Sequence, residues 1–404
     1  ALGIAEVMNF PGVIAGDPEM LARIAAAGPL RVDGHSPGVS GRALDAYLAA
    51  GVESDHEATT VAEADEKRRK GMWVFLRQGS ASQDLAALAP TVVAHGTDRA
   101  ALCTDDREPD TLVRLGHVND CVRLAVANGI SETDAIVLAS TNPARYHGLH
   151  QLGSLGPGHQ ADVLAFDTLE HWLPARVWQA GRAVAADGRI LPGAVPAAPV
   201  PALLRDTVNI GTLPGAEQLV LDLPAGTQVR AVGVASHSLT TRDARVTLGT
   251  DDVAHAAVVE RHHATGRIGL GFATGFGLRR GAIASTVAHD AHNVVCVGAS
   301  GRDMAVAVAR LAEIGGGQLA VLDGSVVAEL ALPLAGLMSD RGAAAVADGL
   351  EALRDATAQA LGVTLEEPFM QLSFIALSVI PQLRITDGGT LDVDGQRYVP
   401  AQLA

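Results

Sequence analysis

Apolar residues in the first part of this chain fall in short runs that end on a polar or charged residue and break into a loop. Stretches with apolar positions three to four residues apart follow them. That alternation predicts strand followed by helix, repeated. Residues 2–7 read as a strand, and residues 17–27 as a helix with Pro18 just inside an Asp17 cap and a stop at Gly28-Pro29. The next strand ends at His35, a helix over 41–50 stops at Gly51, and a further strand reaches His56. Thr60 and Glu63 form a capping box for a charged helix that closes at Gly71. The strand 72–76 then runs into Arg77-Gln78-Gly79-Ser80. A helix across 84–88 leads to the strand 100–103, which carries Thr104-Asp105-Asp106 at its carboxyl end. Helices at 117–128 and, behind the Ser131 cap, at 133–138 close the region.

These are five strand-helix units. A (β/α)₈ barrel has eight units in about 250 residues, so on this reading the chain starts mid-fold and lacks the first strands of the barrel. An open five-stranded parallel sheet is the structural alternative. After residue 150 the pattern changes to short β-like runs, 161–166 and 177–184, punctuated by Gly and Pro. Residues 190–201 hold four prolines and read as a linker. Beyond it, β-like runs at 229–234 and 294–297 and helical ones at 304–314 and 342–353 predict a second α/β region. The expected domains are 1–150 for the barrel, 151–195 for a small β unit, 196–205 for the linker and 206–404 for the C-terminal domain.

Composition narrows the partners. Of 404 residues 48% are hydrophobic but only 3% aromatic, so the core is built from Ala, Val, Leu and Ile. A net charge of -15 repels phosphate backbones, and the one basic cluster, Lys67-Arg68-Arg69-Lys70, sits on a predicted helix, so nucleic acid is not an expected partner. Apolar runs end well short of the roughly 20 residues that a membrane helix needs. With no basic region ahead of an apolar segment at the N-terminus, the chain reads as soluble and cytoplasmic. Cys103, Cys121 and Cys296 are too few and too scattered for a disulfide framework or a Cys-rich zinc site. The Gly-rich run 269–275 misses the dinucleotide fingerprint, no P-loop occurs, and His56-Glu57 is followed by Thr60 where the helical metalloprotease motif needs a second His.

Candidate chemistry lies at the strand ends. Glu6, His35, His56 and Asp105 each close a predicted strand, and in a barrel they converge on one face. Imidazoles and carboxylates are ligands for Zn, Mn or Fe, and an acid beside activated water can accept its proton and return it to a leaving amine. Taken singly, each His also fits a hydrogen-bonded structural residue, and Asp105-Asp106 fits a turn pair. His289 and His292 read equally well as loop or cap residues.

Taken in order, residues 3–14, Asp33-Gly34-His35, Ser54-Asp55-His56-Glu57, Arg77-Gln78-Gly79-Ser80, Thr104-Asp105-Asp106, Gly116-His117, residues 157–162, Gly275-Phe276-Gly277, residues 281–293 and Gly336-Leu337-Met338-Ser339 resemble the adenine deaminases of the amidohydrolase superfamily. The resemblance implies a TIM-type barrel with a small β-sandwich and a C-terminal α/β domain. It also implies a binuclear divalent metal centre (Mn, Fe or Zn) whose activated hydroxide attacks C6 of adenine to give hypoxanthine and ammonia. Glu6 then bridges the metals, His35, His56 and Asp105 complete the ligands present in this chain, and Asp105, His56 and Glu57 are catalytic. Asn9, Gln78, Ser80, Asp106 and His292 face the substrate, His292 by closing the base pocket from one side. Assembly into a homo-oligomer is also expected. The chain departs from the family pattern twice: no His-x-His pair precedes Glu6, and Gln78 stands where many members carry Glu. Alternatives are a metal-poor purine-binding or regulatory homologue, and a metallohydrolase acting on another purine, a pterin or a cyclic amide.

Overall fold

The computed structural model describes residues 3–196, 198–236, 238, 240–249 and 252–403. Leu2 of the expected first strand, Ala197 of the expected linker and the terminal residues Ala1 and Ala404 lie outside them. The chain divides into two units, Ala1–Arg107 with Arg114–Ala198, and Glu108–Val113 with Pro199–Ala404. The division between residues 198 and 199 falls inside the segment read as linker.

The first five strands of the first unit are β1 (Gly3–Val7), β2 (Arg31–Gly34), β3 (Ser54–Asp55), β4 (Trp73–Arg77) and β5 (Ala100–Cys103). β1 pairs with β2, β3 with β4 and β4 with β5, all parallel. The Glu53 amide donates to the Val32 carbonyl at 3.0 Å and joins the two ladders. Neighbours in space are therefore neighbours in sequence throughout, as in the wall of a TIM-type barrel, whereas a doubly wound sheet reverses its order at a switch point. The helices between strands start where the caps predict. The Asp17 carboxylate accepts from the Glu19 and Met20 amides ahead of Pro18–Ala25, and Thr60 Oγ1 accepts from the Glu63 amide ahead of Val61–Arg69. Their apolar faces meet the strands in two clusters, one around Val7, Val32, Leu44 and Tyr47 and the other around Val74, Leu76, Leu88 and Leu102.

Two expectations are corrected here. The helix expected over 84–88 runs from Leu85 to His95 through Pro90, because burial of Leu85, Leu88, Ala89 and Val92 outweighs the lost backbone hydrogen bond. The run 177–184 is two strands rather than one. β7 (Arg176–Gln179) and β8 (Arg182–Ala186) form a hairpin whose turn residues Ala180 and Gly181 both have positive φ, 49° and 78°. With β6 (Val163–Ala165) and β9 (Arg189–Ile190) they make one antiparallel sheet in sequence order.

The second unit is rich in sheet. β10 (Gln228–Gly233), β11 (Arg242–Thr247), β12 (Ala254–Val259), β13 (Ile268–Thr274), β14 (Ala282–Ser285), β15 (Val294–Gly298), β16 (Gly317–Leu322) and β17 (Ser325–Ala331) form an eight-stranded sheet in the order β11-β10-β13-β12-β15-β14-β16-β17. Among the described residues of this sheet only the β10/β13 pair is parallel. Both faces are covered, which explains the unbroken apolar run of β15. Val294 and Cys296 pack with the helix Gly301–Glu313, while Val295 and Val297 pack with the helices Ala343–Leu361 and Pro368–Phe374. A second sheet of β18 (Leu383–Thr386), β19 (Gly389–Asp392) and β20 (Arg397–Tyr398) accounts for the Gly-rich run. A Cβ on Gly269 would lie 1.8 Å from the Thr386 carbonyl oxygen, so glycine stands there for close packing of backbone on backbone.

Candidate metal centre

The carboxyl ends of β1, β2 and β3 meet. Tyr47, fully buried, donates its hydroxyl to the Val7 carbonyl at 2.7 Å and accepts from the His35 amide at 3.0 Å, which sets the end of β1 against the end of β2. Glu6, His35 and His56 come together there, with one ligand atom from each lying within 4.8 Å of the others. Glu6 Oε2 is 3.2 Å from His56 Nε2, and Glu6 Oε1 is 3.7 Å from His35 Nδ1. Glu57, also buried, places Oε1 3.5 Å from His35 Nδ1 and 3.4 Å from His56 Nε2.

His35 is 2% exposed, and among the described residues neither of its ring nitrogens has a hydrogen-bond partner. Burial pushes its imidazole down to about 4, so at neutral pH it is uncharged with a free lone pair. A buried polar atom left without a partner costs about 1–3 kcal/mol, and a cation held by His35, His56 and Glu6 would give the lone-pair nitrogen of His35 a partner. Two imidazoles and a carboxylate suit Zn, Mn or Fe, so these residues fit a divalent metal.

Arg77, at the end of β4, continues the cluster. Its guanidinium binds Glu57 through Nη1 and reaches Asp105 Oδ2 at 2.6 Å and Asp106 Oδ1 at 3.1 Å through Nη2. Burial pushes the Glu57 carboxyl above the usual range against the pull of Arg77. Asp105 follows β5 with φ of 54°, a left-handed conformation that Asp tolerates, and its side chain is 44% exposed. The four strand ends expected to converge thus form a trio, Glu6, His35 and His56, with Asp105 held beside it on Arg77 through Glu57.

The remaining expected site residues have local partners. Asn9 caps the helix Phe10–Ala15, its Oδ1 accepting from the Gly12 amide at 3.0 Å. Asp106 accepts from the Ala81 and Ser82 amides at 2.7 and 3.3 Å, and Ser80 is buried with its carbonyl accepting from Gln83 Nε2 at 3.0 Å. The Gln78 carbonyl accepts from Arg107 Nη2 at 2.8 Å. His292 belongs to the second unit, where its Nδ1 accepts from the Ala288 amide at 3.3 Å and its carbonyl accepts from Arg261 Nε. Burial and the neighbouring His289 push its imidazole down to about 4. Sequence reading assigned no role to Arg77 or Lys67. Arg77 stood inside a recognised motif, and Lys67 stood in a basic cluster on a predicted helix.

A sequential parallel β/α wall with two histidines and a carboxylate at its strand ends is a TIM-barrel-type arrangement carrying a candidate metal site. The amidohydrolase family profile matches residues 22–187, and the adenine deaminase C-terminal domain profile matches residues 234–397. Adenine deaminase from Methylobacterium nodulans is 46% identical over 99% of this chain and 71% of its own length. Adenine deaminase from Nitratidesulfovibrio vulgaris is 44% identical over 97% of this chain and 69% of its own length, and adenine deaminase 2 from Carboxydothermus hydrogenoformans is 40% identical over 100% and 72%. The chain belongs to the adenine deaminase family of amidohydrolases.

Proposed function

We propose that the protein hydrolyses adenine to hypoxanthine and ammonia at a centre of two divalent metal ions, with Glu6, His35 and His56 as ligands. The observation that carries this reading is the buried imidazole of His35, without a hydrogen-bond partner among the described residues, beside Glu6 and His56 in a chain of this family. A bound divalent cation supplies Lewis acidity and lowers the pKa of water to about 7. The residues of the chain do the rest. Asp105 accepts the proton of the attacking water as its oxygen adds to C6, and returns it to the exocyclic nitrogen as the C6–N bond breaks and ammonia leaves. Arg77 keeps that carboxylate oriented and also binds Glu57, whose Oε1 lies 3.5 Å from His35 Nδ1 and 3.4 Å from His56 Nε2. Gln78 donates to the purine edge but cannot accept a proton there.

The test is ammonia release from adenine by the purified protein loaded with Mn(II), Fe(II) or Zn(II), with hypoxanthine identified by chromatography. Tight purine binding without turnover under all three metals would favour the binding homologue. Turnover of another purine or a cyclic amide with none of adenine would change the substrate and keep the class.

A further inference from the structure

Behind the metal centre lies a second cluster that the proposed chemistry does not use. Lys67, fully buried on the helix Val61–Arg69, donates to the Ser36 carbonyl at 2.7 Å, to Asp55 Oδ2 at 3.0 Å and to Glu63 Oε1 at 2.7 Å. All three of its protons are used. Asp55, also fully buried, accepts from the Ser36 amide and hydroxyl through Oδ1, each at 2.8 Å. Through Oδ2 it accepts from the Glu57 and Ala58 amides at 3.1 and 3.0 Å. Glu63 accepts from the Gly38 amide at 2.8 Å and the Thr59 amide at 3.4 Å. Ser36 directly follows His35, and Asp55 and Glu57 flank His56. Asp55 and Glu63 each grip both loops, and Lys67 ties the two acids to the first loop.

A buried ion pair is a poor route to stability, since well-packed apolar side chains of similar volume do as well or better. What it supplies is directional bonds in a fixed place. Here the bonds made by Ser36, Asp55 and Glu57 fall on residues that adjoin a proposed ligand. We infer that Lys67 and Asp55 are positioning residues that set the spacing of His35 and His56 by clamping the loops after β2 and β3. The inference rests on the metal-centre reading above.

The test is Mn(II) affinity, measured by calorimetric titration of the metal-stripped protein, together with urea unfolding in chelator. Lys67→Met should lower Mn(II) affinity by roughly 10–100-fold, as loss of outer-shell support does at other metal sites. Asp17→Ala, which removes only the cap of the helix Pro18–Ala25 in the same unit, should unfold at lower urea and keep wild-type affinity. Unchanged affinity in Lys67→Met, or an equal loss in Asp17→Ala, would overturn the inference. If Lys67→Met is not recovered folded, Ser36→Ala takes its place, because it deletes a single bond to Asp55. A several-fold loss supports the clamp and wild-type affinity overturns it. Failure of the wild-type protein to bind Mn(II) would remove the metal-centre reading and this inference with it.

Discussion

Replacing Arg77 by Met tests the electrostatic frame of the site. The guanidinium is 3% exposed and is shared by Glu57, Asp105 and Asp106, the last also through Nε at 3.3 Å. Met fills the aliphatic volume but leaves three carboxylates facing one another, those of Glu57 and Asp106 almost fully inaccessible to water. Breaking a buried pair by removing one partner costs about 3–5 kcal/mol because the other charge stays buried. With three carboxylates left behind, the upper part of that range is expected. Lys at the same position keeps the charge without the planar fork, so it cannot serve all three acids at once, and about 1–3 kcal/mol is expected. Urea unfolding followed by circular dichroism at pH 7, in chelator so that metal does not contribute, measures both. An Arg77→Met protein within about 1 kcal/mol of wild type would refute the reasoning. So would an Arg77→Lys protein less stable than Arg77→Met.

Three further outcomes follow. His56→Ala should abolish metal-dependent deamination and reduce bound metal, because the trio loses its imidazole from the end of β3; retention of both, by elemental analysis and ammonia assay, would reject the site. Gly79→Ala should lower turnover and stability together, since a Cβ there would lie 1.5 Å from Asp106 Oδ1 and push that carboxylate off Arg77; wild-type kinetics would show that Asp106 is free to move. In the second unit Glu260 is buried, which works against ionisation, yet amide donors at Thr265, His262 and His263 and the Thr265 hydroxyl bring its carboxyl from 4.5 to about 2. Its contribution is therefore complete above pH 4.5 and is lost as pH falls through 2. Glu260→Gln should destabilise the protein at pH 7 by about 1–2 kcal/mol, with the gap to wild type closing below pH 4; a gap independent of pH would refute the assignment.

Much of this protein was legible in the order of its residues. Strand ends at His35, His56 and Asp105 are marked by apolar runs that stop, and helix starts at Asp17, Thr60 and Ser131 by side chains that bond amides two or three residues ahead. Such signals are local, so one dimension carries them. The motif order also pointed to the family that the comparisons establish. Where local rules competed with burial, tertiary structure decided. The helix expected over 84–88 continues through Pro90 to His95, packed on the core, and Ala180-Gly181 splits what reads as one strand.

The support of the site was not legible in the same way. Lys67 opens a basic run on a predicted helix, yet it is fully buried, because residues 31 and 12 positions upstream place the Ser36 carbonyl and the Asp55 carboxylate around its ammonium. Arg77 and Asp105 are both visible in the sequence, but only the fold shows that they pair, and that Asp105 stands beside the Glu6, His35 and His56 trio on a guanidinium rather than within it. The sequence by itself determined which residue types arrive at each strand end, since hydrophobic period and capping act over a few residues. Which charges face which was decided by the tertiary structure, because partners far apart in the chain are selected only when burial removes water and leaves each polar group to find another.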